Sequence, residues 1–201
     1  MKLPAGIGVS QAVTPGGRTD RRAEIAERFE AFVREYQHMV FATAVRLLGN
    51  AAEAEDVAQT VFLRAFERFD TIGRSATAAG WLKAVATNLS LNHLSRYRAR
   101  WQFFSEMERP GDEAGGRVEA LATTESPLAE LERADRAERV ERALRALPDH
   151  QRVPLVLFHF DGMSYEAIAS ALGVSVGKVK TDIYRGRARL RAALAVLDES
   201  R

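Results

Sequence analysis

SYEAIASALGVSVGKVKTDIYRGRARLR, residues 164–191, reads as two short helices joined by a tight turn at Gly173-Val174-Ser175. Tyr165, Ile168, Ala169 and Leu172 recur at helical spacing and give the first helix one apolar face. Ser164 is placed to cap its N-terminus, with Glu166 in the positively polarised first turn. Ser175 is placed to cap the second helix, on which Val176, Val179, Ile183 and Leu190 face inward. That helix carries Lys178, Lys180, Arg185, Arg187, Arg189 and Arg191 against a single acid, Asp182, which is expected to face a base edge or solvent. A helix-turn-helix with this charge on its second helix is built to enter the major groove of DNA.

Composition narrows the field. At 201 residues the chain can form one sizeable domain or two small ones. Its net charge is only +2, yet a pI near 9.1 keeps nucleic acid among the partners. There is no cysteine, hence no disulfide, thiolate metal site or thiol nucleophile. No apolar run approaches the ~20 residues of a membrane span. The N-terminus lacks a basic region followed by a long apolar core, so no signal peptide is expected. The expectation is a cytoplasmic protein without membrane insertion.

Upstream of the helix-turn-helix, residues 1–19 are rich in Gly and Pro and read as a disordered tail. A long helical pattern then runs from Asp20, with Ile25, Phe29, Phe32, Val33, Tyr36, Val40 and Leu47 along one side, to a stop at Gly49-Asn50. A second helix, about Ala52 to Phe69, places Val57, Val61, Ala65 and Phe69 on one face. Phe62 and Phe66 form a further apolar strip beside it, next to Asp56, Gln59 and Arg64. That is more apolar surface than one buried face needs, so part of it can dock a partner helix.

From Thr71 to Ser105 there is no acid, while Arg74, Lys83, Arg96, Arg98 and Arg100 are basic. Thr71 to Gly80 reads as a loop. Trp81 opens a third helix, with Trp81, Leu82, Val85, Leu89 and Leu94 as core, that runs into alternating Arg and aromatic residues up to Trp101. A basic, aromatic, acid-free stretch suits a surface that meets phosphates and stacks bases. The composition then inverts: residues 105–135 hold nine acids against three bases. Pro110-Gly111 and Gly115-Gly116 mark residues 105–126 as an acidic linker. Stretched at ~3.3 Å per residue it reaches about 70 Å, enough to let two DNA-facing domains sit on separate sites. A helix from Ser126-Pro127 to Pro148 follows, then a short apolar one, Arg152 to Phe160. Pro154 must lie near that helix's first turn or kink it. No strand pattern is present. The fold expected is all-α: two small helical domains, residues 20–104 and 127–197, joined by the flexible acidic linker.

These blocks resemble bacterial sigma-70 family sigma factors, in the small extracytoplasmic-function (ECF) group. The resemblance rests on AEAEDVAQTVFLRAFERFD with WLKAVATNLSLNHLSR, followed by LRALPDHQRVPLVLFHFDGMSYEAIASALGVSVGKVKTDIYRGRARL. It implies a region 2-like first domain and a region 4-like second domain. Asp56, Gln59, Thr60, Leu63 and Arg64 match the surface that docks the β′ clamp helices of core RNA polymerase. Ile72, Arg74, Lys83, Asn88, Arg96 and Arg98 fall in the part that captures unstacked bases of the −10 element. Lys178, Lys180, Thr181, Tyr184, Arg185 and Arg187, in the helix-turn-helix from Tyr165 to Tyr184 and beyond, fall at positions that read the −35 element. The resemblance further implies contact with the polymerase β subunit, restraint by an anti-sigma factor, and no cofactor. Ile72 stands where members often carry an aromatic, Thr87 and Asn92 replace a basic and an acidic residue, and Lys178, Asp182 and Gly186 depart from the usual recognition helix.

Two other classes compete. An enzyme is disfavoured: Gly177-Lys178 lacks the earlier glycine of a phosphate loop, and His38, His93, His150 and His159 have no metal-ligand spacing. Glu53, Glu55 and Asp56 sit at a helix start, where acids are favoured without any catalytic role. A stand-alone helix-turn-helix regulator with an N-terminal partner-binding domain would bind duplex DNA unaided. The basic, aromatic stretch at 71–105 speaks against it, because a sensing domain has no need to meet DNA.

Overall fold

The structure, a computed structural model, describes residues 16–95 and 127–199, with side chains described for residues 22–95 and 135–196. The Gly/Pro-rich residues 1–15, the acidic linker 105–126, and Arg96, Arg98 and the aromatic run to Trp101 lie outside the described residues. Those described form helices α1 (Gly16–Leu48), α2 (Ala51–Glu67), α3 (Phe69–Ile72) and α4 (Ala78–Ser95). After the gap come α5 (Pro127–Arg145), α6 (Asp149–His159), α7 (Tyr165–Leu172) and α8 (Val176–Glu199). Among the described residues there is no strand, and the fold is all-α as expected.

The α1–α2 corner is set by two adjacent residues. Gly49 takes φ +71°, the left-handed conformation that ends a helix and suits a residue without Cβ. Asn50 then caps α2, its side-chain oxygen accepting from the amides of Ala52 at 2.9 Å and Glu53 at 3.4 Å, which satisfies two of the helix's orphan donors. The expected inward face of α2 is the observed one, with Val57, Val61 and Ala65 buried against α1 and α4. Phe69 follows on α3 and meets Phe29 and Phe32 edge-on, at centroid distances of 5.1 and 5.5 Å, the arrangement favoured by the ring quadrupoles. On α4, Leu82 and Ala86 are wholly buried and Leu94 nearly so. Each large side chain so buried contributes about 1.5–3 kcal/mol. This helix opens at Ala78, three residues before Trp81, after a turn in which the Thr77 amide donates to the Ser75 hydroxyl at 3.2 Å.

In the second group α6 is the centre. Gln151 to Leu157 are all buried, because α1, α7 and α8 pack around this one short helix. It begins at Asp149 rather than Arg152, so Pro154 stands inside it and withdraws the amide that would have reached the His150 carbonyl. Helix α8 crosses α6 closely at Gly186: a Cβ there would stand 3.1 Å from Leu155 Cδ1 and 3.2 Å from the Gln151 carbonyl. The absence of a side chain at Gly186 thus has a packing consequence.

The two groups touch. Helix α1 packs against α5 and α6, and α4 against α7, so one apolar cluster runs from Phe32 through Leu82 to Ile183. Polar contacts reinforce the seam. Arg152, 3 % exposed, donates to the carbonyls of Leu48 at 2.9 Å and Leu47 at 3.4 Å at the C-terminus of α1, and to the Leu147 carbonyl at 2.9 Å. Arg46 pairs with Glu141 at 2.5 Å and stacks over Phe160, 4.5 Å from its centroid. The linker's length suits separated domains, whereas this structure holds them together.

Candidate nucleic-acid and partner interfaces

The helix-turn-helix forms from its own local chemistry. The Ser164 hydroxyl accepts from the Ala167 amide at 3.1 Å, and the Ser175 hydroxyl accepts from the Lys178 amide at 3.2 Å. Between them Gly173 ends α7 at φ +67°, and the Val174 amide donates to the Ala169 carbonyl at 3.1 Å. Ile168, Ala169, Val179 and Ile183 are buried beneath the pair. Glu166, accepting from its own amide and from Ser164, has its carboxyl held below the usual range, as an acid at a helix N-terminus is.

The six expected contact residues on α8 differ in what they present. Lys180 and Tyr184 project from the helix, Tyr184 at 42 % exposure, and the Lys180 ammonium lies 5.8 Å from the Tyr165 ring. The Thr181 hydroxyl donates to its own helix at the Gly177 carbonyl, 3.0 Å. Arg185 is half-buried. Arg187 turns back to α6: its Nε donates to His159 Nε2 at 3.0 Å, and its guanidinium lies over Phe158. Burial and the Arg187 charge push the His159 pKa below 6.5.

Asp182 is a correction. It does not face a base edge or solvent but is 5 % exposed against α6, on the same strip as Val179, Ile183 and Gly186. Burial raises its carboxyl, opposed by Lys178, whose ammonium meets it at 3.0 Å. Lys178 is thereby half-buried and held along the helix by its own i+4 neighbour. The pair fixes one cation's position in exchange for part of its reach.

The α4 face carries Lys83 and Asn88, with Arg74 exposed on the preceding turn. Ile72 does not join them. It is 8 % exposed and belongs to the core with Phe69, since the short α3 turns that apolar side chain inward. Lys83 and Asn88 border a shallow cleft of about 310 Å³ that Gly80, Ala84 and Met163 complete. The Lys83 ammonium is paired with Asp161 at 3.0 Å, and the Thr87 hydroxyl donates to the other Asp161 oxygen at 3.1 Å.

On the opposite side of α2 an open apolar groove of about 870 Å³ runs between α1 and α2. Phe29, Val33 and Phe41 of α1 form one wall; Phe62, Leu63 and Phe66 of α2 form the other. Leu63 is 67 % and Phe66 53 % exposed, more than isolated surface apolar residues require. Gln59 and Glu55 stand on the rim, and Asp56 and Arg64 are exposed nearby. The Thr60 hydroxyl is engaged by the Asp56 carbonyl at 2.9 Å. The α1 wall was legible only as core, although its apolar arc is wider than one packing face. Among the described residues no group of three or more His, Asp or Glu side chains is arranged to hold a metal ion, and no helix is long and apolar enough to cross a membrane.

The family described as Sigma-70 region 2 matches residues 32–100, and that described as Sigma-70, region 4 matches residues 137–190. The chain is 33 % identical over 180 residues to the RNA polymerase sigma-H factor of Pseudomonas aeruginosa, covering 90 % of each chain. The chain belongs to the sigma-70 family. Its place is in the ECF group: it is 30 % identical over 172 residues to the ECF RNA polymerase sigma factor SigW of Bacillus subtilis, covering 84 % of this chain and 89 % of that one. A solved structure, the sigma factor RpoE in complex with the anti-sigma factor NepR from Bartonella quintana, is similar at 22 % identity and TM-score 0.42, covering 88 % of this chain and 98 % of that one. In sigma-70 terms, α4 and all of the groove but Phe29 fall within the region 2 match, and the helix-turn-helix within the region 4 match. This ECF sigma factor therefore carries both blocks in one chain, in the order read from the sequence.

Proposed function

We propose that this sigma factor attaches to core RNA polymerase through the α1–α2 groove and directs it to promoters by reading two DNA elements. The observation that carries the reading is a pair of open surfaces on the two family blocks: the apolar groove of about 870 Å³, and the outward face of α8 with Lys180 and Tyr184. The groove suits a partner helix, which lays its apolar side between two walls of aromatic and aliphatic side chains. Asp56, Gln59 and Arg64 give its rim polarity and register beside the exposed Leu63, and the β′ clamp helices and the β subunit are the partners that the resemblance supplies. Arg74, Lys83, Asn88, Arg96 and Arg98 meet the displaced −10 strand by phosphate contact and stacking. Lys178, Lys180, Thr181, Tyr184, Arg185 and Arg187 serve the −35 duplex, the N-terminal part of α8 reaching base edges and the later cations the backbone. The functional units are residues 20–104 and 127–197, with the acidic 105–126 segment spanning between elements. The chain acts by binding, not by catalysis, in the cytoplasm, and an anti-sigma factor restrains it.

The test is assembly. Core polymerase, the chain, and both together are run against a pool of duplex genomic fragments, and retained DNA is sequenced. The reading predicts that only the combination enriches fragments sharing paired upstream and downstream elements. Equal enrichment by the chain alone would point to the stand-alone regulator instead.

A further inference from the structure

Lys178 lies in the first turn of α8, where its amide donates to the Ser175 hydroxyl at 3.2 Å. It stands at the edge of the strip packed on α6, beside the outward face that Thr181 and Tyr184 share. Its side chain does not extend freely from the helix. The ammonium lies across the Asp182 carboxylate, 3.2 Å from Oδ1 and 3.0 Å from Oδ2, so two of its three N–H groups are engaged. Asp182 is confined in turn. Its side chain is 7 % exposed, and it belongs to the packing strip of Val179 and Ile183, both 1 % exposed. One turn on, Gly186 lets that strip approach Leu155 and the Gln151 carbonyl closely. Burial raises the Asp182 carboxyl, and the charges of Lys178, of His150 on α6 and of Arg185 on α8 oppose that rise.

We propose that Asp182 is a positioning residue that turns Lys178 from a phosphate anchor into a base reader. The inference rests on the reading of α8 as the −35 helix. A free lysine on a recognition helix gains most from the nearest phosphate, which is the same in every sequence. Lys178 is not free in this sense: its charge is compensated within the helix and its ammonium is fixed. One N–H remains to meet an acceptor, and the N-terminal part of a recognition helix is the part that reaches base edges. Guanine, with O6 and N7 adjacent in the major groove, suits such a donor best. Because a compensated cation displaces few counterions, Lys178 adds preference at one base position and little salt dependence. The buried carboxylate itself never meets the DNA. Its effect passes through Lys178, which is why an acid is tolerated on this helix.

The experiment uses the full chain bound to core polymerase and a duplex promoter library randomised in the upstream element. Retained DNA is sequenced at salt concentrations from about 50 to about 200 mM, and folding is checked by thermal melting. Asp182→Asn keeps the shape and one acceptor but returns an uncompensated charge to Lys178. It is expected to steepen the salt slope by about one, so that binding falls about 3.5-fold further across this range. It is also expected to erase a preference of about five-fold at one base position. Lys178→Met combined with Asp182→Asn removes both charges and the donor. This double variant is expected to lose the same base preference while its salt slope matches the parent's. A packing role for Asp182 alone would not make its slope change depend on Lys178. An Asp182→Asn chain with the parent's slope and base profile overturns the proposal, as does a slope change that persists in the double variant. If Asp182→Asn does not fold, the double variant decides: a slope about one shallower than the parent's means that Lys178 was a phosphate anchor throughout, and the proposal fails. Arg185→Ala separates the two readings. If it flattens one base position while the Asp182 variants keep the parent's profile, this proposal fails and the −35 assignment of α8 stands; if it changes nothing either, both fail.

Discussion

Replacing Arg152 by Met is expected to cost about 2–4 kcal/mol of stability, because the guanidinium ties three helix ends together from a buried position. It is 3 % exposed and donates at 2.9 Å to each of the Leu147 and Leu48 carbonyls. The bond to Leu47 at 3.4 Å is weak, and Asp149, met at 2.7 Å, is half exposed, so neither adds much. Two hydrogen bonds from a charged donor are worth about 1.5–3 kcal/mol each. Part of that is returned when a buried cation is removed, and the Arg152 Nε has no acceptor in any case. Methionine fills much of the stem's volume, which keeps the cavity contribution small. At about 2–4 °C per kcal/mol for a chain of this size, the midpoint is expected to fall by roughly 4–16 °C. Urea denaturation followed by circular dichroism measures the loss. Arg152→Lys, a point charge without the fork, is expected to recover only part of it. A cycle with Gly49→Ala sharpens the test, since a Cβ at Gly49 would stand 2.6 Å from the Arg152 Cζ. That clash is absent in the Met background, so the two changes are expected to be non-additive by about 1 kcal/mol. An Arg152→Met protein within about 0.5 kcal/mol of the parent, or strictly additive changes, would refute the reasoning.

Leu63→Asp, at a residue 67 % exposed on the groove, is expected to abolish co-purification with core polymerase while leaving the melting temperature nearly unchanged; the pull-down and the melt are read together. Arg185→Ala is expected to cost about 1–3 kcal/mol at one base position of the upstream element and to relax preference there, whereas Arg189→Ala weakens all sequences alike. Promoter-library transcription at two salt concentrations separates them. The His159 pKa lies below 6.5 in the folded chain, so the unfolded chain binds more protons between the two values. The stability this residue contributes is full above pH 6.5 and is lost as the pH falls through the folded value. Thermal midpoints from about pH 7.5 to about pH 5.5 are expected to fall more steeply in the parent than in His159→Gln.

The helix-turn-helix was legible because everything that makes it lies within one short stretch: the Ser164 and Ser175 caps, the Gly173 turn and the period of Ile168, Val179 and Ile183. Asp182 was misread for a specific reason. Its charge suggested the outside, but Val179, Asp182, Ile183 and Gly186 fall at i, i+3, i+4 and i+7, the spacing of a packing strip. A Gly at the end of such a strip is a further sign of close helix approach. Ile72 was assigned to DNA through resemblance, against its own apolar character, which the packing beside Phe69 follows. The seam between domains leaves no pattern in sequence at all. Asp161 and Thr87 stand 74 positions apart and Arg152 and Leu48 104 apart, across a linker that hides which surfaces meet. The groove was half legible, since periodicity marks apolar arcs but does not say which part of a wide arc a neighbour leaves uncovered.

The central claim is that one chain confers promoter recognition on core polymerase, and run-off transcription tests it most directly. Core polymerase is incubated with a pool of genomic fragments, with and without the chain, and transcript 5′ ends are mapped. The account predicts new, discrete start sites that appear only with the chain, lie downstream of paired shared elements, and disappear with Leu63→Asp. A chain that adds no start sites, yet binds the same duplex fragments without polymerase, would contradict it.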